Sequence, residues 1–323
     1  MDTLDEAEHC FPQHNSSCRR RTPPSTLLYM VFSSIALLTV VLNLLVIISI
    51  SHFRQLHSPT NTILLSLAVG DLLVGLLGMP IESLRYMESC WLLGTLLCAL
   101  TPYFSYCLCS ISVGNLVLIS IDRYVAICDP LHYSTKITVT RVKICICLCW
   151  VVTLLYNGLI LMDHLKQPDR FSSCYGDCVV VISHLSGIID LVFTFIGPCT
   201  VIVVLYMRVF LVAVSQARVI QVHYGVASSS LVAKRSERKA ARTLGIVIVV
   251  FLVCFCPYYY PSLAGEDTSN NLSYFAVLSW IMLTNSCINP LIYAIFYPWF
   301  RKAIKFIFTL RVLQPSSRET NIL

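Results

Sequence analysis

Charge is scarce in this chain. Only 12% of its 323 residues are Asp, Glu, Lys or Arg, where a soluble domain carries about 25%. With 56% hydrophobic residues and a mean hydropathy of +0.74, that shortage excludes an ordinary soluble fold. Other things are missing too. There is no nucleophile–base set and no His–Cys set at metal-ligand spacing, so no enzyme is indicated. No internal repeat with paired broken helices is visible, which disfavours a transporter, although Asp71 and Asp190 are the kind of carboxylates a relay would use. Residues 1–25 hold no apolar core ahead of a cleavage site, so no signal peptide is expected and the first span would direct insertion.

What is present is apolar sequence in blocks of membrane-spanning length. Seven are visible, at 26–50, 62–84, 96–124, 142–162, 183–214, 241–261 and 274–296. The expected fold is an all-α membrane protein, a seven-transmembrane helix bundle with a short amphipathic C-terminal helix. The segment 299–308 alternates Phe300, Ile304, Ile307 and Phe308 with Arg301, Lys302 and Lys305, as suits a helix on a membrane surface. The expected division is an extracellular N-terminus (1–25), the bundle (26–297), the surface helix (298–310) and a cytoplasmic tail (311–323). Loops on the N-terminal side hold six Lys/Arg and the other side seventeen. That asymmetry places the N-terminus outside and the protein in the plasma membrane as a multi-pass chain. The net charge of +6 is then a topology signal, and no nucleic-acid partner is expected.

The block from 96 to 127 organises the rest. From Cys98 to Asp122 it rises roughly 37 Å, enough to cross a tilted bilayer span. Its scattered polar residues, Ser105, Cys109, Ser110, Ser112 and Asn115 among them, suit a helix surrounded by others. It ends in Asp122-Arg123-Tyr124. Many of the 16 cysteines lie inside apolar blocks as small hydrophobes. On the oxidising side, Cys10, Cys18, Cys90, Cys98, Cys174 and Cys178 are available for disulfides, and spacing leaves their connectivity open. Asn15-Ser16-Ser17 is a glycosylation acceptor on that side.

Intramembrane polar residues mark the candidate sites. Asp71 suggests a cluster with Asn43, Ser112, Asn285, Ser286 and Asn289 whose oxygens would hold Na⁺. Asp190 lies roughly 12 Å outward of Pro198. It can be a snorkelling carboxylate, a partner of His184, or a counter-ion facing a water-filled cavity. The third reading is preferred, and a cationic amine is its natural complement. Phe255, Tyr258 and Tyr259, beside Pro257, supply aromatic faces for such a cation. Tyr260 suits an interfacial belt. Glu237, in a basic stretch, is a candidate partner for Arg123. Asn289-Pro290 inside the last span predicts a bend.

Together these residues resemble a rhodopsin-type (class A) G protein-coupled receptor over about 26–308. The resemblance rests on Asn43, Asp71, Asp122-Arg123-Tyr124, Trp150, Pro198, Pro257 and Asn289-Pro290 with Tyr293. A finer resemblance, to the trace amine-associated receptors, rests on Asn285, Ser286, Asn289, Pro290, Tyr293, Tyr297, Trp299 and Phe300. It implies disulfides Cys98–Cys178 and Cys18–Cys174, and a sodium site of Asp71, Ser112, Asn285 and Asn289. It also implies coupling and switch roles for Asp122, Arg123, Tyr124, Tyr206, Glu237, Asn289, Pro290 and Tyr293. No cofactor is implied beyond that structural Na⁺. The implied partners are a small-molecule amine, a stimulatory heterotrimeric G protein acting through cAMP, and the lipid membrane, in olfactory neurons. Two departures stand out. The usual third-helix Asp is Ser105, and the usual switch Trp is Phe255. A divergent, fish-expanded branch of the family carries its own fifth-helix carboxylate where Asp190 stands. The implied pose puts the amine on Asp190, with Ser105, Tyr106, Cys109 and Ser279 at the other end. Loss of the usual Asp also leaves a non-amine ligand open.

Overall fold

The computed structural model describes residues 26–87, 91, 93–166, 178, 183–222, 245–261, 272–314, 317–320 and 322. They form helices and connecting turns, with no strand among them. The long helices are α1 (Thr26–His52), α2 (Pro59–Leu73, continuing through Val74–Gly78 into Met79–Met87), α3 (Gly94–Cys128) and α4 (Val139–Ile160). Then come α5 (His184–Asp190, through Leu191–Ile196 into Gly197–Val222), α6 (Gly245–Pro261), α7 (Leu272–Phe296) and the short α8 (Pro298–Phe308). Each of the seven apolar blocks therefore carries a helix among its described residues, and six of these helices are long and apolar enough to cross a membrane, α6 being shorter.

Local chemistry sets the ends. Ser58 caps α2 by accepting from the Asn61 amide (3.2 Å), with Pro59 in the first turn, and Thr138 caps α4 by accepting from Arg141 (3.3 Å). Gly94 opens α3 at φ +78°, a conformation only glycine adopts without strain, and its carbonyl accepts from the Trp91 indole at 2.8 Å. At the far end of α7, Arg301 donates to the carbonyls of Ala294 and Ile295 (3.1 and 2.7 Å), which lack helical partners.

Within the helices, hydroxyls are satisfied locally. Thr39, Ser49, Ser110, Ser120 and Thr284 each donate to the carbonyl four residues back, at 2.6–2.8 Å. Such bonds let a polar side chain sit in hydrocarbon at little cost. Two wide turns interrupt α2 and α5. Each ends two residues before a proline, Val74–Gly78 before Pro80 and Leu191–Ile196 before Pro198. Proline cannot donate to the carbonyl four residues back, and an extra residue in the preceding turn absorbs the mismatch. One inserted residue also rotates what precedes it by about 100° about the axis. The second wide turn begins immediately after Asp190, so it sets the direction that side chain faces.

Helix α3 is the centre, packed against α2, α4 and α5. Leu116 and Ile119 of α3, Ile202 of α5, Phe251 of α6 and Tyr293 of α7 are buried in one core. The α4 surface away from it, with Leu148, Val152, Leu155 and Leu159, is exposed and fits lipid. Close helix approach depends on small residues. A Cβ at Gly114 of α3 would collide with Cys149 Sγ of α4. Gly114→Ala is expected to lower the melting temperature of the detergent-solubilised protein, by about 1 kcal/mol of overpacking. Adding Cys149→Ala should restore it; an unchanged melting temperature in the single variant would show that the helices yield there.

Candidate functional site

At one end of the bundle, a disulfide joins Cys98 at the start of α3 to Cys178, with Cα atoms 5.6 Å apart. The Arg85 guanidinium of α2 reaches across and donates through Nε to the Cys178 carbonyl at 3.3 Å. Cys18, Cys174 and the glycosylation acceptor Asn15 lie outside the described residues.

Below the disulfide sits Asp190, 5% exposed. That burial removes the snorkelling reading, and His184, being exposed, is no buried partner for it. The carboxylate accepts one hydrogen bond, from Thr194 Oγ1 at 2.8 Å, four residues on across the wide turn. Among the described residues no Lys, Arg or His forms an ion pair with it. Its charge reaches Tyr106 and Cys109 of α3, Tyr156 of α4 and Tyr259 of α6. Tyr259 stacks on Phe195 at a centroid distance of 4.4 Å, and Tyr258 meets Tyr259 edge-on at 5.3 Å. Tyr106 and Tyr258 meet side chain to side chain. Phe255 lies one turn deeper, against Phe251 at 4.3 Å. This is an acid with tyrosines of three neighbouring helices within reach of its charge, company that suits a cation.

Ser279 and Ser105 are two of the contacts expected at the other end of the ligand. Ser279 is buried on α7 and, among the described residues, no hydrogen bond ties it to the group around Asp190. Ser105 turns toward α2 and donates to Glu82 Oε1 at 3.0 Å. Glu82 and the adjacent Arg85 were not legible as site residues, because both stand near the end of an apolar block where charges are ordinary.

Midway down, Asp71 is fully buried. It accepts from Ser286 (2.8 Å), Asn289 (2.9 Å) and, at a longer 3.5 Å, Ser112. Asn43 of α1 donates to the Ser286 carbonyl at 3.0 Å, so this cluster ties α1, α2, α3 and α7 together. Asn285 is buried beside Ser286 but its Oδ1 accepts no hydrogen bond, and neither does Oδ1 of Asn289. The donor to Asp71 is thus the Ser, one residue on from Asn285 in the helix. The oxygens present suit a hard monovalent cation: a carboxylate, a loosely held hydroxyl and carboxamide oxygens without donors.

At the opposite end from the disulfide, Arg123 is folded onto its neighbour. Its Nε donates to Asp122 Oδ2 at 2.9 Å and its Nη2 to Thr60 at 2.6 Å. Thr60 and Tyr133 both donate to the same carboxylate, at 2.8 and 2.9 Å. Neither Thr60 nor Tyr133 was foreseen, since nothing in the spacing pairs them with a residue on α3. Tyr124 packs with Val209 and Ile127 between α3 and α5. The hydroxyls of Tyr206 and Tyr293 are buried without a hydrogen-bond partner among the described residues. Pro290 stands inside α7 next to Asn289. Glu237 lies outside the described residues.

Known proteins place this arrangement. The model of the 7 transmembrane receptor (rhodopsin family) matches residues 42–293. Trace amine-associated receptor 13c of Danio rerio is 37% identical over 330 aligned positions, covering 98% of this chain and 97% of that protein. Trace amine-associated receptor 6 of Pan troglodytes is 42% identical and that of Homo sapiens 41%, each covering 97% of this chain and 95% of theirs. Members of this family are receptors rather than enzymes, multi-pass proteins of the plasma membrane that bind small molecules and couple to G proteins. With its buried polar core, its disulfide-closed end and its Arg123 cluster, the chain belongs to the rhodopsin family of seven-transmembrane receptors and, within it, to the trace amine-associated receptors.

Proposed function

We propose that this receptor detects extracellular amines by seating the ammonium on Asp190. One observation carries the reading: a carboxylate 5% exposed within α5, with Thr194 as its hydrogen-bond donor and tyrosines of α3, α4 and α6 within reach of its charge. A buried charge without a partner is costly, and a cationic ligand supplies that partner. The names of the relatives point the same way. The N-terminus and the disulfide face the outside, in keeping with the distribution of basic residues. Na⁺ would be held by Asp71, Ser112 and the carboxamide oxygens of Asn285 and Asn289, where it would bias the resting arrangement. The amine favours the arrangement in which α6 moves away from α3 and frees Arg123. Only a ligand that binds that state more tightly shifts the balance. Signalling through a stimulatory G protein and cAMP, in olfactory neurons, follows from the family likeness.

Cells carrying the receptor and a cAMP reporter should respond to a panel of amines and stay silent to carboxylic acids and peptides. A response confined to acids or peptides would overturn the amine reading. Substrate flux without cAMP would point to a transporter.

A further inference from the structure

We infer that a second recognition point lies at Glu82, and that it takes a neutral hydrogen-bond donor at the far end of the ligand in preference to a second ammonium. The inference rests on the Asp190 reading and specifies what the rest of that ligand must be.

Glu82 projects from α2 and is 5% exposed. Its two oxygens differ. Oε1 accepts from Ser105 at 3.0 Å, whereas Oε2 is buried and accepts no hydrogen bond. The nearest cation, Arg85 Nη1, stands 3.6 Å from Oε2, close enough to neutralise the carboxylate but beyond hydrogen-bond length. Arg85 is itself tethered, through Nε, to the carbonyl of the disulfide residue Cys178. It is therefore not free to slide onto Oε2. A buried carboxylate oxygen without a donor is uncommon and costly, and a ligand's donor group would satisfy it.

On this inference the Glu82 oxygen and the Asp190 anchor serve one ligand. Cys109 on α3 feels the charge of both Glu82 and Asp190, and Ser105 stands one helical turn from Cys109 on the same helix. Ser105, Tyr106 and Cys109 are half-buried, as residues lining a cavity are. A ligand lying across this face of α3 would then have one acid toward each end.

The ends are not equivalent electrostatically. Asp190 has no basic partner among the described residues, so a cation there meets an uncompensated charge. Glu82 already has Arg85. A second ammonium would bring two cations to one carboxylate in a site poor in water, losing its hydration for little return. A hydroxyl or amide N–H completes Oε2 without adding charge. Hydrogen bonds to charged acceptors are among the stronger ones, enough for about tenfold in potency.

The test uses three matched ligand series of chain lengths from propyl to heptyl: plain n-alkylamines, ω-amino alcohols and α,ω-diamines, read by cAMP dose–response. At the best chain length, the amino alcohol should exceed both the alkylamine and the diamine by about tenfold. Glu82→Gln should erase the amino alcohol's advantage over the alkylamine, a ratio that expression level cannot move. Arg85→Gln should make the diamine the strongest ligand, a gain that misfolding cannot imitate. A diamine strongest on the unmodified receptor would overturn the inference, as would a hydroxyl advantage that survives Glu82→Gln. Asp190→Asn separates the two readings. If it silences all three series while the hydroxyl advantage ignores Glu82, only the second point fails; if it leaves all three unchanged, or if no series elicits a response, the anchor fails with it.

Discussion

Asp190→Asn is expected to reduce amine potency by roughly thirtyfold to several thousandfold while leaving the receptor at the cell surface. The range follows from the loss of one partner in a buried, hydrogen-bonded charge pair, 2–5 kcal/mol, at about 1.4 kcal/mol per tenfold. Asparagine keeps the shape of the side chain and can still accept from Thr194, whose hydroxyl is 2.8 Å away. What disappears is the charge. Without ligand, that charge is buried with no basic partner among the described residues, so it is a burden on the folded protein. The variant should therefore be at least as thermostable as the parent, separating a recognition defect from a folding defect. Asp190→Ala should show the same loss of potency. A dose–response curve that superimposes on the parent's would remove Asp190 from the binding site.

The second large effect is expected at the other end. Asp122→Asn should raise signalling in the absence of ligand. Arg123 is 7% exposed and held through Asp122, which also gathers Thr60 and Tyr133. Removing one partner of a buried ion pair costs about 3–5 kcal/mol, because the other charge is left uncompensated. A guanidinium released in this way favours any arrangement that offers it new acceptors, including a G protein's surface. If the active state is on the order of 1% populated, as minor states of two-state proteins often are, losing about 3 kcal/mol from the resting state alone would make it the majority. Tyr133→Phe removes one neutral hydrogen bond from the same carboxylate and should give a smaller rise. Basal activity equal to the parent's in Asp122→Asn would mean that this cluster does not hold the resting state.

The architecture was legible because membrane helices announce themselves by length and hydropathy, and a helix stands in every apolar block. The Cys98–Cys178 disulfide came from family likeness, since spacing alone allowed several pairings. Asp190 was legible as a residue out of place, a carboxylate where hydrocarbon is expected. An inward-facing counter-ion was the preferred reading of it on chemistry alone, while the wide turn starting at Leu191, which rotates that end of α5, was not visible. A regular helical wheel cannot anticipate an inserted residue. Glu82 escaped for the opposite reason: near the end of a span a Glu with an Arg three residues on reads as an ordinary surface pair, and only the fold shows both turned inward. The Asp71 cluster shows a third limit. Asn285 and Ser286 are adjacent, and which of them reaches the carboxylate is a matter of helix rotation that composition does not record.

The most direct test is a structure of the receptor bound to an activating amine. The account predicts the ligand nitrogen at about 2.7–2.9 Å from an Asp190 carboxylate oxygen, the length of a charge-assisted hydrogen bond, with Tyr259 and Phe195 packed beside it. An amine nitrogen seated elsewhere, with Asp190 still bonded to Thr194 alone, would contradict it.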